Sequence, residues 1–294
     1  RILNIAVFRK ETLYQKMRAL IIYLVISAVF IGCTPILSID ASTQSVYHFS
    51  DTDKNISLLD ISETFGTYDG SFVLYDNNLD SWKIYDLEEA TKRIPPESTY
   101  KIYDALLGLE SGIITPEHSS MTWNGDAFPF PSWEADQDLN SAMQNSVNWY
   151  FQAIDSQLGI NRVQEFLNKI EYGNQTTSSN LDLYWSDFSL KISPLEQVTL
   201  LKKFNTNEFH LNFQNVFSVK NAIKIASTPN GNFYGKTGTG RVNGQDINGW
   251  FIGYVETSDN SYYFATNIQS DSNATGKKAF EITSDILKKL HIWN

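Results

Sequence analysis

The chain has 294 residues, with 33 Asp and Glu against 23 Lys and Arg and a formal net charge of −10, which leaves no basic stripe to neutralise nucleic-acid phosphates. The single cysteine, Cys33, excludes an intrachain disulfide and a cysteine-rich metal site, and the four histidines, His48, His118, His210 and His291, lack metal-ligand spacing. The length suits one large domain, or a membrane segment followed by a domain with a full core.

Residue 1 is Arg, and the sequence reads as the C-terminal part of something longer. Residues 1–18 carry Arg1, Arg9, Lys10, Lys16 and Arg18 against one acid, Glu11. Residues 19–39 then run for 21 positions without a charge, long enough to cross a membrane as a helix. The basic flank predicts a cytoplasmic start and an extracellular location for residues 40–294, anchored in the cell membrane. A second reading takes Met17 as the start of a signal peptide whose Cys33 becomes lipid-modified; both readings export the remainder. Residues 40–66 are polar and read as an extracellular tether to a domain over 67–294. Asp51, Asp53 and Asn55 begin like a calcium loop, but Ile56 stands where glycine is needed.

Two strands, 70–75 and 82–85, flank the turn residues Asp76-Asn77-Asn78. A helix opens at Ser98 and runs to about 111. Apolar spacing predicts helices over 139–154, 161–170, 194–204 and 216–225, then strands over 233–237, 249–256 and 262–268, and a closing amphipathic helix over 277–290. Strands at both ends with helices between predict an α+β domain: an antiparallel sheet of five or more strands, covered by helices on both faces.

Ser98 and Lys101 are three residues apart at a helix start, which puts the amine on the same face as the hydroxyl, a nucleophile beside its base. Tyr234-Gly235-Lys236-Thr237-Gly238-Thr239-Gly240 is a strand ending in glycines; small residues let a substrate lie against it while Lys236, Thr237 and Thr239 hold a carboxylate. Ser146-Val147-Asn148, Tyr172-Gly173-Asn174 and Tyr184-Trp185 are each ordinary alone.

In this order the motifs resemble the penicillin-recognising serine acyltransferases, on the class D β-lactamase branch. The stretches Ser98-Thr99-Tyr100-Lys101-Ile102-Tyr103, Ser146-Val147-Asn148-Trp149-Tyr150-Phe151-Gln152, Lys191-Ile192-Ser193-Pro194-Leu195-Glu196-Gln197-Val198 and Asn248-Gly249-Trp250-Phe251-Ile252-Gly253-Tyr254-Val255-Glu256 resemble the extracellular sensor domain of the β-lactam-sensing signal transducers of Gram-positive bacteria. The resemblance covers about residues 67–294. It implies that Ser98 opens the β-lactam ring, with the backbone N–H groups of Ser98 and Thr239 holding the oxyanion. Lys101, neutral or converted to a carbamate by carbon dioxide, takes the Ser98 proton beside Trp185 and Val147. Ser146 relays a proton to the leaving nitrogen, and Lys236, Thr237, Gly238 and Thr239, with Lys277 as a further candidate, bind the drug. It implies no metal and no other cofactor in this part. An upstream membrane zinc protease belongs to the same longer polypeptide in that family, and no His-Glu-x-x-His occurs here. Asn148 stands where class D hydrolases usually carry an apolar residue, which predicts acylation without turnover, the behaviour of a sensor. A membrane-tethered class D β-lactamase is the alternative; a cell-wall transpeptidase and a plain extracellular binding module remain as further readings.

Overall fold

The computed structural model describes residues 55–294. The predicted membrane helix, the cytoplasmic flank and most of the predicted tether lie outside the described residues, among which no helix is long and apolar enough to cross a membrane.

One sheet organises the domain. Its seven strands are β1 (Ile56–Leu58), β2 (Asp69–Asp76), β3 (Ser81–Tyr85), β4 (Lys224–Thr228), β5 (Gly231–Val242), β6 (Gln245–Glu256) and β7 (Ser261–Gln269), in the order β1-β3-β2-β7-β6-β5-β4. The predicted antiparallel sheet is therefore corrected to a mixed one, because β1 pairs with β3 in parallel while the other pairings are antiparallel. Trp82 N–H donates to Asn55 O at 2.8 Å and Leu59 N–H to Ile84 O at 2.8 Å, so three residues of the stretch read as a tether close the free edge of β3.

Alternation along the strands splits the core in two. Val73 and Tyr75 of β2, Trp250, Ile252 and Tyr254 of β6, and Tyr263 and Ala265 of β7 face the larger helical layer. Phe72 and Leu74, Phe251 and Val255, and Phe264 and Ile268 face the opposite layer, built on α1 (Ser62–Phe65) and α9 (Gly276–Lys289). Helices cover both faces, as predicted.

The larger layer contains α2 (Leu87–Thr91), α3 (Lys101–Glu110), α4 (Leu139–Gln144), α5 (Asn148–Leu158), α6 (Ile160–Ile170), α7 (Pro194–Asn205) and α8 (Phe213–Ala222). Helix α3 is buried from Lys101 to Leu109, which places it at the centre, with a short 3-10 turn, Glu97–Tyr100, leading into it. The helix predicted over 139–154 is broken. Asn145 ends α4, Ser146 takes φ +55°, and α5 restarts at Asn148. A left-handed residue cannot continue a right-handed helix, and apolar periodicity, which continues through the break, does not register it.

Candidate active site

The segment carrying Ser98 is fixed from several directions. Trp250 Nε1 donates to Pro95 O at 2.8 Å and Asn248 Nδ2 to the same oxygen at 3.1 Å. Thr99 Oγ1 donates to Pro96 O at 2.6 Å and accepts from Gln197 Nε2 at 2.9 Å. Gln197 is presented by α7, whose first turn closes with a capping box between Ser193 and Glu196. Arg93 grips Glu196 through Nε at 3.0 Å. The Tyr-Gly-Asn element acts at longer range. Gly173 has φ +50° and leaves no room for a Cβ against Lys191 O, and Asn174 Oδ1 accepts from Lys191 N at 2.9 Å. That holds the segment leading to Ile192, which forms an isolated antiparallel bridge with Ile94.

Ser98 and Lys101 meet as the spacing requires: Lys101 Nζ lies 2.8 Å from Ser98 Oγ. The same amine lies 2.8 Å from Asn148 Oδ1, 4.2 Å from the centre of the Trp185 ring and 5.6 Å from that of Phe151. Lys101 is 0 % exposed. Burial holds its ammonium well below the usual lysine range, Lys236 adds repulsion, and Asp104, Glu97 and Asp155 pull the other way. A buried amine that sheds its proton easily can serve as a base.

The break between α4 and α5 aims Ser146 at the strand. Lys236 Nζ donates to Ser146 Oγ at 3.0 Å and to Thr237 O at 3.0 Å. Lys236 is 5 % exposed, and burial brings its ammonium down to about 7. Strand β4 pairs β5 only as far as Tyr234, so the β5 edge from Lys236 onward faces the site. The approach there is close. A Cβ on Gly238 would sit 3.1 Å from Pro96 O and 3.2 Å from Ser98 N, and Thr239 Oγ1 accepts from Gly276 N–H at 2.8 Å.

These groups open on a cavity of about 340 Å³ lined by Ser98, Ser146, Asn148, Thr237, Gly238 and Thr239. Lys277 is exposed on the first turn of α9 and outside that lining. Three features are invisible in the motifs. Arg241 lies at the cavity rim, its Nε 2.7 Å from Asp246 Oδ1. Trp133 and Phe130 wall the opposite side, with Trp133 Nε1 donating to Asn145 O at 2.9 Å. Glu97, with φ +52°, is buried directly before Ser98; burial raises its carboxyl to about 8, against pulls from Asn248 and Lys101. A charged residue one strand turn beyond Thr239, an Asx-rich aromatic loop and an acid next to the serine were all readable, but no spacing rule singles them out. Among the described residues no group of three His, Cys, Asp or Glu side chains is placed to hold a metal ion.

Comparison with known proteins adds relatives to this geometry. The family model for the penicillin-binding protein transpeptidase domain matches residues 66–288. Among curated proteins, the chain is 43 % identical to regulatory protein BlaR1 of Bacillus licheniformis over 100 % of its own length and 49 % of that protein's. It is 37 % identical to the methicillin resistance mecR1 protein of Staphylococcus aureus, over 99 % of its length and again 49 % of the relative's. The chain thus spans about half the length of these relatives. A probable β-lactamase, YbxI of Bacillus subtilis, is 37 % identical over 80 % of the chain and 86 % of the enzyme. Among solved structures, the C-terminal domain of the Bacillus licheniformis BlaR penicillin receptor aligns with TM-score 0.79 and 46 % identity, over 82 % of this chain and 98 % of that one. The class D β-lactamase BAT-2 aligns with TM-score 0.75 and 36 % identity, over 80 % and 97 %.

Proposed function

Because the chain belongs to the penicillin-binding protein transpeptidase-domain family, on the branch shared by penicillin receptors and class D β-lactamases, we propose that it is the sensor part of a β-lactam receptor. A penicillin or cephalosporin acylates Ser98 and the ester persists, which induces antibiotic resistance through a longer polypeptide. The observation that carries this reading is Asn148 Oδ1 at 2.8 Å from Lys101 Nζ.

In acylation, Lys101 takes the proton of Ser98 Oγ as that oxygen attacks the lactam carbonyl. The N–H groups of Ser98 and Thr239 take up the oxyanion charge. The lactam C–N bond breaks, and the nitrogen receives its proton from Ser146, which Lys236, with its ammonium near 7, resupplies. Thr237, Thr239 and, at the rim, Arg241 hold the drug carboxylate, Arg241 exchanging its partner Asp246 for it. Deacylation needs a base to activate water. The Asn148 carbonyl engages the Lys101 amine beside Ser98 Oγ, so Lys101 serves the first half-reaction and fails the second. Carbon dioxide could convert a neutral Lys101 to a carbamate, and the amide oxygen already on that amine opposes it.

Residues 19–39 would anchor the sensor in the membrane with residues 1–18 on the cytoplasmic side, continuous with an upstream zinc protease part. Mixing the protein with one equivalent of penicillin and following intact mass tests the central claim. A stable adduct, absent in Ser98→Ala, is expected; steady hydrolysis of a chromogenic cephalosporin over many equivalents would replace the receptor with the second reading, a tethered class D β-lactamase. The probable β-lactamase relative favours that alternative, which requires turnover responsive to bicarbonate.

A further inference from the structure

Beneath Lys101 lie two carboxyl groups that the chemistry above does not use. Asp104 follows Lys101 by one turn of α3, and Asp155 follows Asn148 by two turns of α5. Both are 0 % exposed. Neither oxygen of Asp104, nor Asp155 Oδ2, meets an N–H or hydroxyl donor; the two carboxyls face one another where α3 packs on α5. Two carboxyl groups can bond to one another only when one of them holds a proton. Asp155 Oδ1 already accepts from Tyr184 O–H at 3.3 Å, which marks Asp155 as the acceptor and Asp104 as the member carrying the proton.

We infer that Asp104 and Asp155 share one proton beneath Lys101 and present a single negative charge as the counter-charge of its ammonium, so that this pair sets the pH at which Lys101 becomes the base for Ser98. The pair acts through Lys101 and is a positioning device, not a catalytic group. The inference rests on the acylation of Ser98 proposed above.

The electrostatics fit the geometry. Two like charges in a dry core cannot both ionise, and burial and the neighbouring acid push Asp104 far above the ordinary carboxylate range. One remaining anion offsets the desolvation of a lysine ammonium sunk beside Trp185 and Phe151. The other charged and titratable groups facing Lys101 are Glu97 from the turn and Lys236 from β5. Those facing the acid pair are Tyr100, Tyr150 and Tyr184, with Asp182 from the loop before Tyr184. None of these supplies a second buried cation next to the pair, so Lys101 is the charge the pair answers.

Acylation requires neutral Lys101, hence its rate rises with pH through the lysine's titration. Removing an anion within about 4–6 Å of an ammonium lowers its pKa by about one to three units. The test is the pH profile of the second-order rate of penicillin adduct formation, followed by intact mass, in the unaltered protein, the Asp104→Asn/Asp155→Asn double variant and both single variants. Each single variant retains one ionisable carboxyl beside an amide donor and keeps a negative charge. The double variant should shift the midpoint down by about one unit or more, and each single variant by less than half of that. An unshifted midpoint in the folded double variant overturns the inference, as do single variants that shift as far as the double. Should the double variant not fold, infrared difference spectra decide: a protonated-carboxyl band at neutral pH, moved by deuterium, retained in Glu97→Gln and lost in Asp104→Asn, is expected, and the absence of such a band in Glu97→Gln overturns the shared proton. Lack of any adduct in the unaltered protein would instead remove the receptor reading, and the infrared result stands apart from it.

Discussion

At the scale of single residues, the site is a contest for one amine. Asn148→Val removes the carbonyl from Lys101 without changing side-chain bulk much. A hydrogen bond to a charged or strongly polarised group contributes about 1.5–3 kcal/mol, so the acyl-protein should decay roughly tenfold faster or more, read as loss of adduct mass after excess penicillin is removed; an unchanged lifetime takes Asn148 out of the explanation. Glu97 makes a stability prediction. Its carboxyl is raised by burial from 4.5 to about 8, so its contribution to stability is complete below the unfolded value and is lost as pH rises toward 8. Glu97→Gln keeps an acceptor for Asn248 and discards the charge. Its unfolding free energy, from melts at each pH, should exceed that of the unaltered protein by a margin that grows from pH 5 to pH 8 and then levels, up to about 1.4 kcal/mol per unit of pKa difference; a constant margin would show that Glu97 is not protonated in the fold. Ser98, Lys101 and Lys236 were legible because their spacing is itself the chemistry. Asp104 and Asp155 were not, since a lone acid in an apolar helical run is normally placed on the wet side, and only the burial of α3 on every side reveals that there is none.

At the scale of elements, the site depends on two places where regular structure gives way. The α4–α5 break turns Ser146 toward Lys236, and the early end of β4 exposes the β5 edge. Behind that edge, α9 comes in without a side chain: a Cβ at Gly276 would lie 2.7 Å from Gly238 O and 2.8 Å from Thr237 Cβ. Gly276→Ala should therefore cost about 1–3 kcal/mol in melts, the range for an overpacked contact, and should slow acylation by displacing Thr237–Thr239 from Ser98. Normal acylation with normal stability would mean that α9 yields freely. The long strands and the closing helix were readable from their alternation and periodicity. Strand β1 was not: three residues, one half-buried and two exposed, are too few to show a period, and the parallel pairing follows only from where β3 leaves its edge. Strand β4, mostly exposed, shows no alternation either: its first two residues, Lys224 and Ile225, fell at the end of the helix predicted over 216–225 and its other three in no predicted element.

At the scale of the whole molecule, a sheet with helices on both faces gives the serine a stiff seat, with Trp250 and Asn248 of the interior strand β6 holding Pro95 O. The topology was inferred from strand runs at the two ends of the domain, and that pattern sufficed for the class of fold but not for the order of its strands. On the proposed receptor reading, the chain should take up one acyl group and stop. The position of Trp185 offers a way to watch it happen. Its ring centre lies 4.2 Å from the Lys101 amine, and it is nearly fully buried. Indole emission is sensitive to a charge held against the ring face, and this ring sits on a group whose charge must change when Ser98 reacts. The protein thus contains its own optical clock: light emitted by Trp185 should step once when the ester forms, remain displaced for as long as the ester lives, and show no step in Ser98→Ala or Trp185→Phe.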